Sequence, residues 1–174
     1  MVGMPGAGKS AVGKELGRRL QRHFADSDVV IEQRIGCSIR EYFEREGEAA
    51  FRQLEEQVLA ELGEQGAGVL ATGGGIVIRS ANRACLLRSF RVVYLHATPE
   101  DLYRRLRHDT KRPLLQVADP LARLRELYSA RNGLYREVAH AVVETGRASV
   151  AAVVTEVQRQ LQAASSDRGA EAGL

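Results

Sequence analysis

The chain has 174 residues, of which 44% are hydrophobic and 27% are charged. This composition is enough to bury one core, so we expect a single domain. No apolar run has the length of a membrane span, and the N-terminus lacks the charged-then-apolar pattern of a secretory signal, so we expect a cytoplasmic protein without membrane partners. The net charge is only +3 because 25 basic residues are interspersed with 22 acidic ones, which disfavours nucleic-acid binding.

The spacing of cysteines and histidines gives no sign of a disulfide framework or a transition-metal site. Cys37 and Cys85 form no CxxC motif, and we expect both to act as small hydrophobic residues in a reducing compartment. The histidines are far apart and lack the spacing of metal ligands, so the metal we expect is a phosphate-bound Mg²⁺. These histidines are His23, His96, His108 and His140.

Residues 3–10 read GMPGAGKS and match the GxxxxGK[ST] pattern of a phosphate-binding loop. The glycines let backbone N–H groups point inward, and the helix that follows directs the positive end of its dipole to the same point. Lys9 is expected to reach the β- and γ-phosphates, and the Ser10 hydroxyl to coordinate Mg²⁺. The alternative is a glycine-rich turn before an ordinary helix. The residues expected to bind ATP here are Gly6, Ala7, Gly8, Lys9, Ser10 and Ala11.

Short apolar segments alternate with amphipathic helices, which predicts an α/β fold with a parallel sheet covered by helices on both faces. In the first half, a helix over residues 11–22, a strand over 23–25 and a helix over 29–35 are predicted, the last ending at Gly36. The capping-box sequence over residues 38–41 begins another helix, broken near Gly47 and resumed over 48–62. Residues 27–63 are therefore predicted to form a helical insertion.

In the second half, strands are predicted over residues 68–71, 91–95 and 141–143. The pairs Thr98-Pro99 and Asp119-Pro120 each place a capping residue before a proline, which predicts helices from 99 to about 107 and from 120 onward. The basic segment 108–118 between them is a candidate lid. A final helix over 149–163 ends the predicted domain, residues 1–163, and residues 164–174 are predicted to be a disordered tail.

A phosphate loop normally follows a buried central strand, but only Met1 and Val2 precede Gly3 here. We therefore expect that the first strand is truncated in this chain and that the natural polypeptide starts upstream. Losing several apolar residues from a central strand would cost several kcal/mol of burial, comparable to a domain's net stability. Intact-mass analysis of the protein from its own host tests this expectation.

The ordered motifs together resemble those of the shikimate kinases, over residues 2–161. The resemblance implies a three-layer α/β/α P-loop kinase fold with a five-stranded parallel sheet in the order 2-3-1-4-5. It also implies ATP-dependent phosphorylation of the 3-hydroxyl of shikimate, in the pathway to chorismate and the aromatic amino acids. Ala11 departs from the family, which often places Thr there. The motifs are GMPGAGKS, DSD at 26–28, FRQLE at 51–55, TGGG at 72–75, RPLL at 112–115 and RNGLYREVA at 131–139.

Two acids follow the predicted strand over residues 23–25. At positions i and i+2 of a strand end, Asp26 and Asp28 are expected to project to the same side. The resemblance implies that Asp26 faces the Mg²⁺ shell and that Asp28 accepts hydrogen bonds from the substrate hydroxyls and orients the attacking one, with a role as its base left open. The alternative is that one acid only caps the helix beginning at Val29.

Two arginines and a glycine are expected to bind the acceptor. Arg52 and Arg131, both on predicted helices, have the planar, permanently charged donors that a carboxylate substrate needs. The alternatives are an exposed ion pair of Arg52 with Glu55 or Glu56, and a solvated Arg131. Gly74, at the end of a strand, would let the backbone approach a sugar-like ring, unless the glycines only serve a turn that needs positive φ.

Three further arginines are assigned to ATP. Arg112, in the lid segment, is expected to close over the γ-phosphate and neutralise its developing charge, the alternative being a basic loop without a role. The resemblance implies that Arg107 stacks on the adenine, although Arg104 and Arg105 are close to it in the chain. Arg147, near the last strand, is a further adenine candidate.

The sequence therefore favours a monomeric, Mg²⁺- and ATP-dependent kinase that acts on shikimate. A second hypothesis keeps the chemistry but takes another polyol acid, such as gluconate, as the acceptor. A third is a nucleotide-binding regulatory module without catalysis, against which the lid arginine and the two acids argue. A monomer is expected because no predicted helix has a long surplus apolar stripe.

Overall fold

The structure is a computed structural model that describes residues 1–66, 68–107 and 117–171, with side chains to residue 163. In these residues, four short strands alternate with seven helices. Most of the candidate lid, including Arg112 and His108, lies outside the described residues. Among the helices described, none is long and apolar enough to span a bilayer.

The strands form two parallel pairs. Strand β1 (Phe24–Asp26) pairs with β2 (Val69–Ala71), and β3 (Val93–His96) pairs with β4 (Ala141–Glu144). Val2 lies between the pairs: it forms a parallel bridge with Tyr94, while the Met1 carbonyl accepts a hydrogen bond from the Thr72 amide on the other side at 3.2 Å. The predicted α/β class with parallel strands is confirmed, and the predicted strand limits differ from the observed ones by one or two residues.

The helices of the first half follow the signals in the sequence. Helix α1 (Lys9–Leu20) leaves the phosphate loop, and α2 (Ser27–Ile35) ends at Gly36, whose φ of 68° favours glycine. Helix α3 (Ile39–Glu64) begins with the predicted capping box, in which the Ser38 hydroxyl and the Glu41 carboxylate each bond the other residue's backbone amide. Gly47 interrupts α3 with φ 84° and ψ 172°, as predicted.

The second half contains a helix that the pattern did not predict. Helix α4 (Ser80–Ser89) has no side-chain hydrogen bond at its N-cap and no clear apolar stripe, so neither helix signal is present. Helices α5 (Pro99–Leu106) and α6 (Pro120–Val138) start at their predicted caps, Thr98 and Asp119. Helix α7 (Val150–Glu171) continues past the predicted end at residue 163.

The core lies where the helices cover the strands. All four residues of β3 and all three of β2 are buried, which is typical of strands covered on both faces. Helices α1 and α7 pack against each other, as do α3 and α4, and α5 and α6. Because the strands are parallel, their carboxyl ends bring the loops that follow them to one edge, next to the phosphate loop.

Candidate active site

The phosphate loop adopts a conformation that requires its three glycines. Gly3, Gly6 and Gly8 have φ angles of 149°, 84° and 89°, in the region that side chains disfavour. A Cβ on Gly6 would also lie only 2.6 Å from a methyl carbon of Leu106. Helix α1 begins immediately after Gly8, so its first free amides and its positive dipole end face the loop.

The side chain of Lys9 is held at the start of the loop. It is buried, and its ammonium group donates to the carbonyls of Gly3 and Met4 at 2.9 Å each. Lys9 also lines a cavity of about 470 Å³. The lining of this phosphate cavity is Pro5, Gly6, Gly8, Lys9, Ser10, Ala11, Asp26, Asp28, Thr72, Gly74 and Leu106.

Two oxygen groups meet on one side of the phosphate cavity. The Ser10 hydroxyl donates to Asp26 at 2.5 Å, and the other carboxylate oxygen of Asp26 accepts from the Asp28 amide at 3.1 Å. Asp26 is therefore the N-cap of α2. The expected i, i+2 strand geometry is wrong, because Asp26 ends β1 while Asp28 lies in the first turn of α2; both nevertheless line this cavity.

Asp28 is half-buried against the glycine segment. A Cβ on Gly73 would lie 2.6 Å from its Oδ1, so only glycine allows this approach. Burial and then the charge of Asp26 raise the pKa of Asp28 to about 6, against the opposing charge of Lys9. The carboxylate therefore gains its proton about two pH units higher than an ordinary aspartate and is mostly ionised at neutral pH.

Glycines 73–75 are required by close contacts, because none of them is among the residues with positive φ. A Cβ on Gly75 would lie 2.3 Å from a guanidinium nitrogen of Arg52, and one on Gly74 would lie 2.9 Å from Pro5. The Gly74 carbonyl accepts from Arg131 at 3.3 Å and from the Tyr135 hydroxyl at 2.5 Å. The alternative of a turn that only needs positive φ is therefore wrong.

The guanidinium of Arg52 is fixed from several sides. It donates to Glu55 at 2.8 Å, and its side chain is only 13% exposed while that of Glu55 is 1% exposed. Its central carbon lies 5.2 Å from the ring centre of Phe51 and 5.8 Å from that of Phe43. Burial raises the pKa of Glu55 against the opposing charge of Arg52. The ion-pair alternative is thus correct about the pair but wrong about its exposure.

A second cavity of about 520 Å³ lies on the other side of the phosphate loop. Arg104, Arg105 and Arg147 line it, whereas Arg107 does not. Arg105 donates to the carbonyls of Thr145 and Gly146. The complete lining of this side cavity is Gly6, Ala7, Gly8, Asp101, Arg104, Arg105, Thr145, Gly146, Arg147, Ala148, Val150 and Val153.

Comparisons with known proteins agree with this geometry. A family model described as shikimate kinase matches residues 5–162. The chain belongs to the shikimate kinase family. It is 57% identical to a shikimate kinase of Paracidovorax citrulli, with 94% of this chain and 91% of the relative covered, and 53% identical to one of Burkholderia pseudomallei, with 94% and 89% covered.

Solved structures of the family have the same fold. The shikimate kinase of Acinetobacter baumannii, solved in complex with shikimate, is 42% identical and superposes with a TM-score of 0.88 over 93% of this chain and 90% of that one. A gluconokinase of Sinorhizobium meliloti is 17% identical with a TM-score of 0.56, which is a similarity of fold alone. This chain is therefore an α/β P-loop kinase by fold and by family.

For this shikimate kinase family member, the structure brings together most of the predicted site. Lys9, Ser10, Asp26, Asp28 and Gly74 line the phosphate cavity, and Arg52 and Arg131 contact the glycines at its edge. Sequence reasoning named Glu55 only as an exposed partner of Arg52, and it missed Tyr135. The spacing of a Glu three residues after an Arg, and of a Tyr four residues after one, was the only signal for their roles.

Proposed function

We propose that the protein transfers the γ-phosphoryl group of ATP to the 3-hydroxyl of shikimate, giving shikimate 3-phosphate and ADP, in the pathway to chorismate and the aromatic amino acids. One observation carries this proposal. Lys9, Asp28 and Gly74 line a single cavity, the Gly74 carbonyl accepts from Arg131, and the adjacent Gly73 and Gly75 lie against Asp28 and Arg52. An anion-binding loop thus faces a cluster that suits an acid bearing hydroxyl groups.

The nucleotide is proposed to occupy both cavities. Its β- and γ-phosphates lie in the loop, where the amides of Gly6, Gly8 and Ser10 and the Lys9 ammonium hold the negative charge. Ala7, whose amide donates to the Met4 carbonyl at 3.1 Å, lines the side cavity that the nucleotide also occupies. The adenine is proposed to extend into the side cavity, which Arg147 lines. Ala11 lines the phosphate cavity, and the assignment of Arg107 to the adenine rests on the resemblance. Arg112 closes over the γ-phosphate from the lid.

A Mg²⁺ ion is proposed to accompany the nucleotide. The Ser10 hydroxyl and the Asp26 carboxylate, 2.5 Å apart at the phosphate cavity, are hard oxygen donors of the kind that Mg²⁺ prefers. When bound, Mg²⁺ neutralises charge on the phosphate oxygens. Asp26 also caps α2, so its orientation is set by the fold before the metal arrives.

The acceptor is proposed to bind through its carboxylate and its ring hydroxyl groups. Arg52 and Arg131 hold the carboxylate beside the Gly74 backbone, and Asp28 accepts hydrogen bonds from the ring hydroxyls. The hydroxyl oxygen forms a bond to the γ-phosphorus while the bond from that phosphorus to the β–γ bridging oxygen breaks, and the hydroxyl proton passes to Asp28 or to water. Because this transition state is loose, orientation by Asp28 contributes more than proton removal.

The finer architecture is also a proposal. Residues 1–2 are taken as a short central strand, so the strand order is β1, β2, residues 1–2, β3 and β4, a five-stranded parallel sheet. Its support is the hydrogen bonding of Met1 toward Thr72 and of Val2 toward Val93 and Leu95. We also propose a monomer in the cytoplasm, and light scattering of the purified protein tests the oligomeric state.

ADP release measured with each acceptor tests the proposed function. We expect turnover with ATP and shikimate, little turnover with gluconate, and loss of most turnover in Asp28→Asn. If turnover is higher with gluconate than with shikimate, the acceptor is gluconate and the proposal is wrong about shikimate. If ATP binds normally but shikimate neither binds nor stimulates ADP release, the non-catalytic nucleotide-binding hypothesis takes over.

A further inference from the structure

A buried histidine joins three elements outside both cavities. His96 ends β3, and its side chain is 9% exposed. Its Nδ1 lies 2.7 Å from both carboxylate oxygens of Glu144 on β4, and its Nε2 lies 2.7 Å from the Tyr128 hydroxyl on α6. Because an ionised carboxylate only accepts, Nδ1 carries a proton, and Nε2 shares a hydrogen bond with the Tyr128 hydroxyl, which can either donate or accept.

This histidine has no place in the chemical step. Neither His96 nor Tyr128 lines the phosphate cavity or the side cavity, and both ring nitrogens already have partners. The backbone carbonyl of His96 is fixed as well, since it accepts from the amide and the hydroxyl of Thr145 at 2.8 and 3.0 Å. The ring therefore connects the end of β3 to α6 through hydrogen bonds.

Tyr128 belongs to one hydrogen-bonded face of α6. Residues 128, 131, 132 and 135 follow the i, i+3, i+4, i+7 spacing of a single helix face. Asn132 accepts from the Tyr94 hydroxyl at 3.1 Å, and Tyr135 donates to the Gly74 carbonyl at 2.5 Å. Arg131, one turn after Tyr128, reaches the same carbonyl.

We propose that His96 is a positioning residue for the acceptor: through Tyr128 it fixes the rotation of α6 about its axis, and thereby holds the guanidinium of Arg131 at the Gly74 carbonyl. The inference rests on the proposed function, which assigns Arg131 to the acceptor carboxylate. The direct contact of Arg131 with Gly74 is long, at 3.3 Å, so the orientation of its helix decides where the guanidinium lies. Misplacement by about 1 Å is costly for a group that must align with a substrate.

The test measures binding by calorimetry in the full chain, with shikimate titrated in the presence of a nonhydrolysable ATP analogue. Tyr128→Phe removes only the hydroxyl, and we expect its dissociation constant for shikimate to rise about 3- to 10-fold, the effect of one hydrogen bond. The affinity for the ATP analogue is expected to stay at the wild-type value. His96→Phe is expected to resemble Tyr128→Phe, while His96→Gln, which keeps one donor and one acceptor, recovers part of the loss.

A double-mutant cycle separates positioning from general stability. In an Arg131→Ala background, Tyr128→Phe is expected to cause no further loss of shikimate affinity. The matched control is Arg123→Gln, which removes an exposed ion pair with Glu126 from the same helix and is expected to leave both affinities unchanged.

Two results overturn the inference. One is an equal loss for shikimate from Tyr128→Phe with and without Arg131, and the other is a parallel loss for the ATP analogue. If instead Arg131→Ala alone leaves the shikimate affinity unchanged, the proposed acceptor site itself is refuted, and the inference falls with it. Should His96→Phe fail to fold, the tyrosine variant carries the test.

Discussion

The two halves of the site are built in different ways. The phosphate side comes from one contiguous segment, residues 3–10, together with the start of α1. The acceptor side brings Asp28, Arg52 and Arg131 from three helices onto glycines that follow β2. The first uses backbone amides and one lysine, while the second uses side-chain charges held by buried partners.

This difference teaches where each kind of recognition is encoded. An anion site made of backbone amides needs only local backbone conformation, which three glycines with positive φ provide. A cluster of charges needs the tertiary fold, because an arginine such as Arg52 is pre-oriented only where a buried carboxylate and aromatic rings hold it. We therefore expect substitutions on the two sides to change different quantities.

The largest expected effect is on the phosphate side. Lys9→Ala is expected to lower kcat about 10²- to 10³-fold, because a positive charge that faces the transferred phosphoryl group is lost. The affinity for shikimate alone, measured by calorimetry, is expected to change little. Lys14→Ala is the matched control, since Lys14 is an exposed lysine of the same helix. Comparable losses in the two lysine variants would contradict the prediction.

Arg52→Ala is the corresponding experiment on the acceptor side. We expect the dissociation constant for shikimate to rise about 10- to 100-fold, because a charged hydrogen-bond donor is lost and Glu55 is left buried without its partner. Affinity for the ATP analogue should be preserved. The control is Arg40→Ala in the same helix, whose ion pair with Glu44 is exposed. A uniform loss for both ligands would mean that the two sides are not separable.

A smaller effect on shikimate affinity is expected from Gly75→Ala. This substitution displaces the Arg52 side chain without removing it, so it tests the position of the arginine separately from its charge. The added Cβ would lie 2.3 Å from its guanidinium, and we expect shikimate affinity to fall about 3- to 10-fold from a displacement of this kind. Gly133→Ala, in α6, has no atom within 4 Å of the new Cβ and is expected to raise stability by about 1 kcal/mol. Thermal unfolding and calorimetry of both variants decide whether shikimate affinity depends on the contact of residue 75 with Arg52 or falls whenever a glycine is replaced by alanine.

The last two predictions concern the protonation of Asp28 and its dependence on pH. Its pKa of about 6 in the folded protein lies above the ordinary value of 3.8. The folded state therefore binds more protons than the unfolded state between these values, so stability falls as pH rises through this range. Asp28→Asn is expected to stabilise the ligand-free protein at pH 7.5 by about 1–3 kcal/mol, measured by denaturant unfolding.

The same carboxylate predicts how acceptor binding varies with pH. In nucleotide-free buffer with a chelator, shikimate affinity is expected to weaken about 3- to 10-fold between pH 7.5 and pH 5, as Asp28 becomes protonated and stops being a pure acceptor. The Asp28→Asn variant should bind weakly with no such dependence. A wild-type affinity that is flat across this range would contradict the assignment of Asp28 to the hydroxyls.

Much of the fold could be predicted because its signals are local. The capping box at Ser38 and the proline starts at Pro99 and Pro120 define helix ends through contacts within one turn. Helix α4 has no such local signal. Burial of residues such as Asn82 and Leu86 against other elements holds this helix in place. Its existence was therefore not predictable from the pattern.

The amino-acid sequence by itself determined the phosphate loop, the α/β class and the family, since each depends on residue types at short fixed spacing. Only the tertiary structure decided that the pair of Arg52 and Glu55 is buried, and that glycines 73–75 serve close contact instead of positive φ. The physical reason is range: a cap or a turn is made by neighbours in the chain, whereas burial and charge pairing depend on segments that only folding brings together.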